Sequence, residues 1–194
     1  MAAPLPYHPF YCEENMWRLC QEPLLAGSER LVCIITGHPS TGDDTRCALF
    51  HQRLAARPGE AVLWDFHVVL FVRAAGAAGA ESWQVWDPDS DLGTPVPAAA
   101  YLQATFGDQA ALPAPLRPLL RLIEGERYVA ELRSDRSHMR DRQGRWLQPP
   151  PPWPPPGGGI EHNLDRLLDP LDGLLGQVVE LVGLRARLGL TAQP

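Results

Sequence analysis

The chain has 194 residues, a formal net charge of −6 and 45% apolar residues. That length suits one domain with a substantial core, and the apolar content argues against disorder. The acidic balance excludes a broad electrostatic footprint for nucleic acid or an anionic membrane.

All seventeen basic residues are arginine, which reads as coding bias rather than chemistry. No run approaches the roughly 20 apolar residues of a membrane span. Residues 1–10 lack the basic start and apolar stretch of a secretory signal. The cysteines are Cys12, Cys20, Cys33 and Cys47, with no C-x-x-C pair, so a zinc site is a weak idea. Reduced thiols in the cytosol follow, with the nucleus as well if the source is eukaryotic. Neither a metal nor an organic cofactor is expected.

In chain order, residues 1–10 read as a flexible leader. Pro9 and Pro23 bracket a short helix in which Cys12, Met16, Trp17 and Cys20 share a stripe. Cys12 falls in its first turn, where the helix dipole favours a thiolate. The same position also suits an inert, half-buried cysteine. Residues 31–36 are a β-branched run, expected as a buried strand. Residues 37–44 form a turn-rich loop, and 46–56 fit strand or helix. Residues 62–72 and 82–87 read as a hairpin joined by the small-residue loop 74–80. Symmetry about Ala77 sets His67 opposite Asp87 and Asp65 opposite Asp89, all on one face. A one-residue slip would reverse that face.

Residues 91–100 are expected as a loop, 99–106 as a helix, 111–118 as irregular, 119–123 as a strand and 126–132 as a helix. The polar stretch 134–139 reads as a surface loop. Prolines 149–156 around Trp153 should run as polyproline II, either as a packed cover or as an SH3 or WW ligand. Gly157 to Gly159 is read as flexible, and 164–168 and 171–190 as helical. The whole, 1–194, is expected as one catalytic domain, with 149–159 a covering loop and 160–194 a C-terminal helical segment. No repeat of 20–50 residues is visible.

Cys12, His67 and Asp87 form a nucleophile–base–orienter set. The thiol attacks, His67 moves its proton, and Asp87 fixes the imidazole. The bland alternatives are a satisfied core histidine at His67 and a strand-end aspartate before Pro88. His138 is a rival base whose loop reads as solvent-exposed. His8, His38, His51 and His162 show no metal-ligand spacing. Glu13 and Glu14 suit a helix N-terminus but oppose a thiolate at Cys12.

Seven stretches bring a family into view: Tyr11-Cys12-Glu13-Glu14-Asn15 with Trp17 and Leu19; Ala56-Arg57-Pro58-Gly59; Trp64-Asp65-Phe66-His67-Val68-Val69-Leu70; Asp87 with Asp89; Ser134-Asp135-Arg136-Ser137-His138-Met139; Gly144 and Trp146 with the prolines that follow; and Asn163-Leu164 with Asp169-Pro170. In this order they resemble the protein N-terminal glutamine amidohydrolase family. The resemblance implies an α+β fold, an α-β-α sandwich with a mainly antiparallel sheet, related to papain-like and transglutaminase-like enzymes. It implies a Cys-His-Asp triad at Cys12, His67 and Asp87, and a monomer acting on N-terminal glutamine of proteins and peptides. In eukaryotes the glutamate product feeds an N-degron pathway. The few leader residues, the long loop 37–45 and the tail after Pro170 depart from the family pattern, but no triad residue is lost. The substrate's α-ammonium needs an acidic partner, for which Asp65 and Asp89 are candidates. The alternatives are a transglutaminase-like or peptidase-like reaction on the same triad, or a non-catalytic interaction protein using residues 149–156.

Overall fold

The structure is a computed structural model that describes residues 5–39 and 46–190. Most of the expected loop 37–44, the first residues of the leader and the end of the tail lie outside the described residues.

Eight strands and five α-helices are described: α1 (Cys12–Leu19), β1 (Glu29–Thr36), β2 (Cys47–Leu49), β3 (Val62–Trp64), β4 (Phe66–Arg73), β5 (Trp83–Trp86), β6 (Val96–Pro97), α2 (Ala98–Phe106), β7 (Leu119–Glu124), α3 (Gly125–Glu131), α4 (Leu164–Leu168), β8 (Gln177–Val179) and α5 (Leu181–Arg187). Six strands form one antiparallel sheet in the order β6-β5-β4-β1-β7-β8; β2 and β3 form a separate pair.

The two central strands, β1 and β4, are buried on both faces, so they read as continuous apolar runs. The pleat deals their side chains alternately to two cores. Leu31, Cys33, Ile35, Val69 and Phe71 face α2 and α5. Val32, Ile34, Val68, Leu70 and Val72 face α1, α3 and α4. Helices thus cover both faces of an α+β, mainly antiparallel sheet. No helix among the described residues is long and apolar enough to cross a membrane.

Several expectations are corrected. Residues 62–72 are not one strand. The chain bends at Asp65, so β3 pairs with β2 while β4 enters the main sheet. The ambiguous 46–56 segment is the short strand β2 followed by a turn in which His51 takes φ 55°. The β4–β5 hairpin pairs Leu70 with Trp86 and Arg73 with Trp83, two residues away from the Ala77-centred register. A helical turn at Ala80–Ser82 takes up chain on the returning side and moves the loop centre. A two-residue slip preserves the face, so His67 and Asp87 still share a side, with Asp87 just past the end of β5. The opposition of Asp65 to Asp89 does not form.

Residues 171–190 are not one helix. They hold β8 and α5. Gly176 turns at φ 75° against the Leu122 carbonyl, where a Cβ would clash, and Val178 and Val179 then complete the sheet edge. Buried Arg121 ties this segment down by donating to the carbonyls of Leu167, Asp169, Leu175 and Asp172. The 91–100 loop contains β6. Of the expected leader, Tyr7 and His8 are fastened to the domain: Tyr7 donates its hydroxyl to Asp89 at 2.7 Å, and the His8 backbone and the Asn15 amide exchange two hydrogen bonds.

Candidate active site

The site lies where the start of β4 meets the start of α1. His67 is fully buried, and its Nε2 lies 3.0 Å from Asp87 Oδ1. Three more donors hold Asp87. The Asp89 N–H reaches Oδ1 at 3.1 Å, and Tyr101 and Gln52 reach Oδ2 at 2.7 and 3.4 Å. The indole of Trp64 stacks on the imidazole at 4.8 Å between ring centres. The bend at Asp65 makes this possible, because it lets a residue three positions earlier fold over His67. Burial disfavours charge on both partners, but their mutual attraction and hydrogen bond prevail: His67 is raised above 6.5, and Asp87 is lowered below 3.8. His67 Nδ1 is buried and has no hydrogen-bond partner among the described residues.

Cys12 is 6% exposed and opens α1, which packs on β4. The Val68 backbone amide, next after His67, lies against the sulfur and eases the thiol downward. That is outweighed. Burial first, then the charges of Glu13, Asp89 and Asp65, hold the Cys12 pKa well above 9.0. Burial and the neighbouring carboxylates thus oppose the thiolate that the helix terminus favours. All four cysteines are free.

The acidic pair after Cys12 was read as a polar helix start. In the structure Glu13, Glu14 and Asn15 are all fully buried. Arg136 grips both oxygens of Glu14 at 2.7 Å, and the Trp153 indole donates to the same carboxylate at 2.9 Å. Arg136 also donates to the Trp153 carbonyl at 2.9 Å, and its backbone adopts φ 60°. The proline segment is thus a packed cover anchored by Trp153, with further bonds from Tyr11 to the Gln148 carbonyl and between His8 and the Pro149 carbonyl. The reading of 134–139 as a surface loop fails with it. Ser134 and Arg136 are buried, and His138 turns inward to within 3.4 Å of Glu13. The clue was a lone arginine and histidine downstream of two adjacent acids, but nothing in the spacing joins residues more than 120 apart.

A cavity of about 300 Å³ gives access, lined by Cys12, Thr36, Asp65, Phe66 and His138 with an apolar mouth that includes Phe10. Asp65 is exposed, and its Oδ1 accepts the Phe66 N–H at 2.9 Å. Among the described residues, His67, Asp87 and Asp89 could bring ligand atoms within 4.8 Å of one another around a metal. Both Asp87 oxygens already accept hydrogen bonds from His67, Asp89, Tyr101 and Gln52.

A buried thiol, a carboxylate-held imidazole and a small cleft beside them are the equipment of an amide hydrolase. The chain belongs to the N-terminal glutamine amidase family, whose model matches residues 7–187. A protein from Arabidopsis thaliana named protein N-terminal glutamine amidohydrolase is 31% identical over 163 residues, 82% of this chain and 73% of that protein. Proteins of the same name from Bos taurus and Homo sapiens are 33% and 32% identical over 152 residues, 74% of this chain and 67% of each relative.

Proposed function

We propose that this protein hydrolyses the side-chain amide of an N-terminal glutamine in proteins and peptides, giving N-terminal glutamate and ammonia through a Cys12–His67–Asp87 triad. The observation that carries the triad is the state of His67: one nitrogen is held by Asp87, and the other is buried and unpartnered among the described residues, one position before the Val68 amide that meets the Cys12 sulfur. In this reading Nδ1 faces the thiol. His67 takes the thiol proton as sulfur attacks the carboxamide carbon, and the uncapped first-turn amides of α1 receive the oxyanion. His67 then returns the proton to the departing nitrogen, releasing ammonia and leaving a glutamyl thioester. Water, deprotonated by His67, cleaves the thioester and restores the thiol. The sheet flanked by helices, with its nucleophile at a helix start, supports kinship with papain-like and transglutaminase-like enzymes. Four unpaired cysteines support a reducing, cytosolic setting.

The decisive experiment offers a Gln-starting peptide, its acetyl-Gln counterpart and the Cys12→Ala protein side by side. Ammonia, and a mass change equal to exchange of NH2 for OH, are expected only with the free N-terminus and only with Cys12 present. Amine incorporation or peptide-bond cleavage would instead mark a transglutaminase-like or peptidase-like reaction.

Refusal of internal glutamine requires a partner for the free α-ammonium. Asp65 supports that role by lining the Cys12 cavity while remaining exposed to an incoming cation. Asp65→Asn is expected to raise KM for Gln-peptides several-fold with little change in kcat, the pattern of lost uniform binding. An unchanged KM would remove Asp65 from the site.

A further inference from the structure

Glu13 is a buried carboxylate without adequate donors. Its Oε1 faces His138 Nε2 at 3.4 Å, an ion pair when that imidazole is protonated but without the alignment of a hydrogen bond, and no other donor among the described residues reaches it. Its Oε2 is met by the Cys12 thiol at 3.9 Å, a long contact from a weak donor. An ionised carboxylate offers about four acceptor sites, and a buried acceptor left short is costly. Glu14, one residue on, shows the alternative, with its oxygens taken by Arg136 and Trp153. Glu13 is therefore under-donated beside the sulfur, next to a cavity that Cys12 and His138 both line.

Resting on the assignment of Cys12 as nucleophile, we propose that Glu13 is the residue that distinguishes carboxamide from carboxylate. Its oxygen accepts an N–H from the substrate's side-chain NH2 as that group lies over the sulfur, and His138 is a positioning residue that holds Glu13 there. The carboxamide offers two N–H donors. The product carboxylate offers none, and it places a second negative charge against Glu13 in a poorly screened setting. One residue thus favours binding of glutamine and expulsion of glutamate.

The test uses the Cys12→Ala protein, which binds without turnover, and two peptides that differ only in N-terminal Gln or Glu, with Kd measured by calorimetry. The Gln-peptide is expected to bind at least tenfold more tightly. Adding Glu13→Gln should bring the two affinities within about threefold, because an amide can donate to the product carboxylate. A ratio that survives Glu13→Gln unchanged would overturn the proposal. If that double variant does not fold, Cys12→Ala with Glu13→Asp is read instead. It keeps the charge but sets it back by one methylene, so a reduced ratio still favouring Gln is expected, and an undiminished or inverted ratio overturns the proposal. Turnover by the Cys12-intact protein is scored separately. Its absence would defeat the nucleophile assignment while leaving the affinity ratio to report on Glu13.

Discussion

Asp87→Asn is expected to lower kcat on a Gln-peptide by roughly 10³-fold while the protein stays folded, because an amide can hold the imidazole in the wrong tautomer and cannot steady its charged form. The pH profile gives the sharper signature. Burial alone would push His67 below its ordinary value; the Asp87 charge and hydrogen bond raise it above 6.5. A base must be unprotonated to accept the thiol proton, so the acid limb of kcat/KM should lie above pH 6.5 in the unaltered protein. Removing the carboxylate lets burial dominate, and the limb should move to lower pH. Residual activity with an unshifted limb would show that Asp87 does not govern His67. The same pair predicts a stability profile. Asp87 is lowered, so its contribution is present above 3.8 and lost as pH falls through its folded value. His67 is raised, so its contribution is complete below 6.5 and lost as pH rises through its folded value. Between 3.8 and 6.5 both operate, and a thermal-melt series should show the Asp87→Asn protein losing most stability in that window.

The largest structural effect is expected at Arg136. Arg136→Ala leaves the Glu14 carboxylate buried without its bidentate partner, which should cost about 3–5 kcal/mol. For a chain of this size that lowers Tm by roughly 6–20 °C. The Trp153 cover should loosen as well, since the guanidinium also donates to the Trp153 carbonyl. The double variant Glu14→Gln with Arg136→Met should be less damaging than Arg136→Ala alone, because it removes the stranded charge and restores much of the volume. A single-variant loss below about 1 kcal/mol, the scale of an exposed ion pair, would mean that this pair is solvated.

These two expectations rest on different kinds of evidence. His67 and Asp87 could be joined from sequence because a hairpin relates neighbours by a rule of period two. The assumed register was wrong by two residues, yet the contact formed, since an even slip keeps the face and a side chain just past the strand end can still reach back. The strands 31–36 and 119–123 and the helix after Pro9 were legible for similarly local reasons, β-branched runs and helical spacing, whereas proline geometry left 149–156 open between a cover and a ligand until Trp153 met Glu14. The division of 62–72 at Asp65 was not legible, because both halves favour strand and the bend is set by two different pairing partners. The misread 171–190 segment likewise had helical composition, and only the open edge of β7 made residues 177–179 a strand.

What the chain determined by itself was its composition class, most of its elements and the residue types of its chemistry, because these depend on interactions between near neighbours. Whether Glu13, Glu14, Arg136 and His138 are surface charges or site groups was decided by the tertiary structure alone. The physical reason is desolvation. The behaviour of a buried acid depends on which distant groups replace its water, and for Glu13 and Glu14 those groups arrive only when residues more than 120 positions apart close over the start of α1.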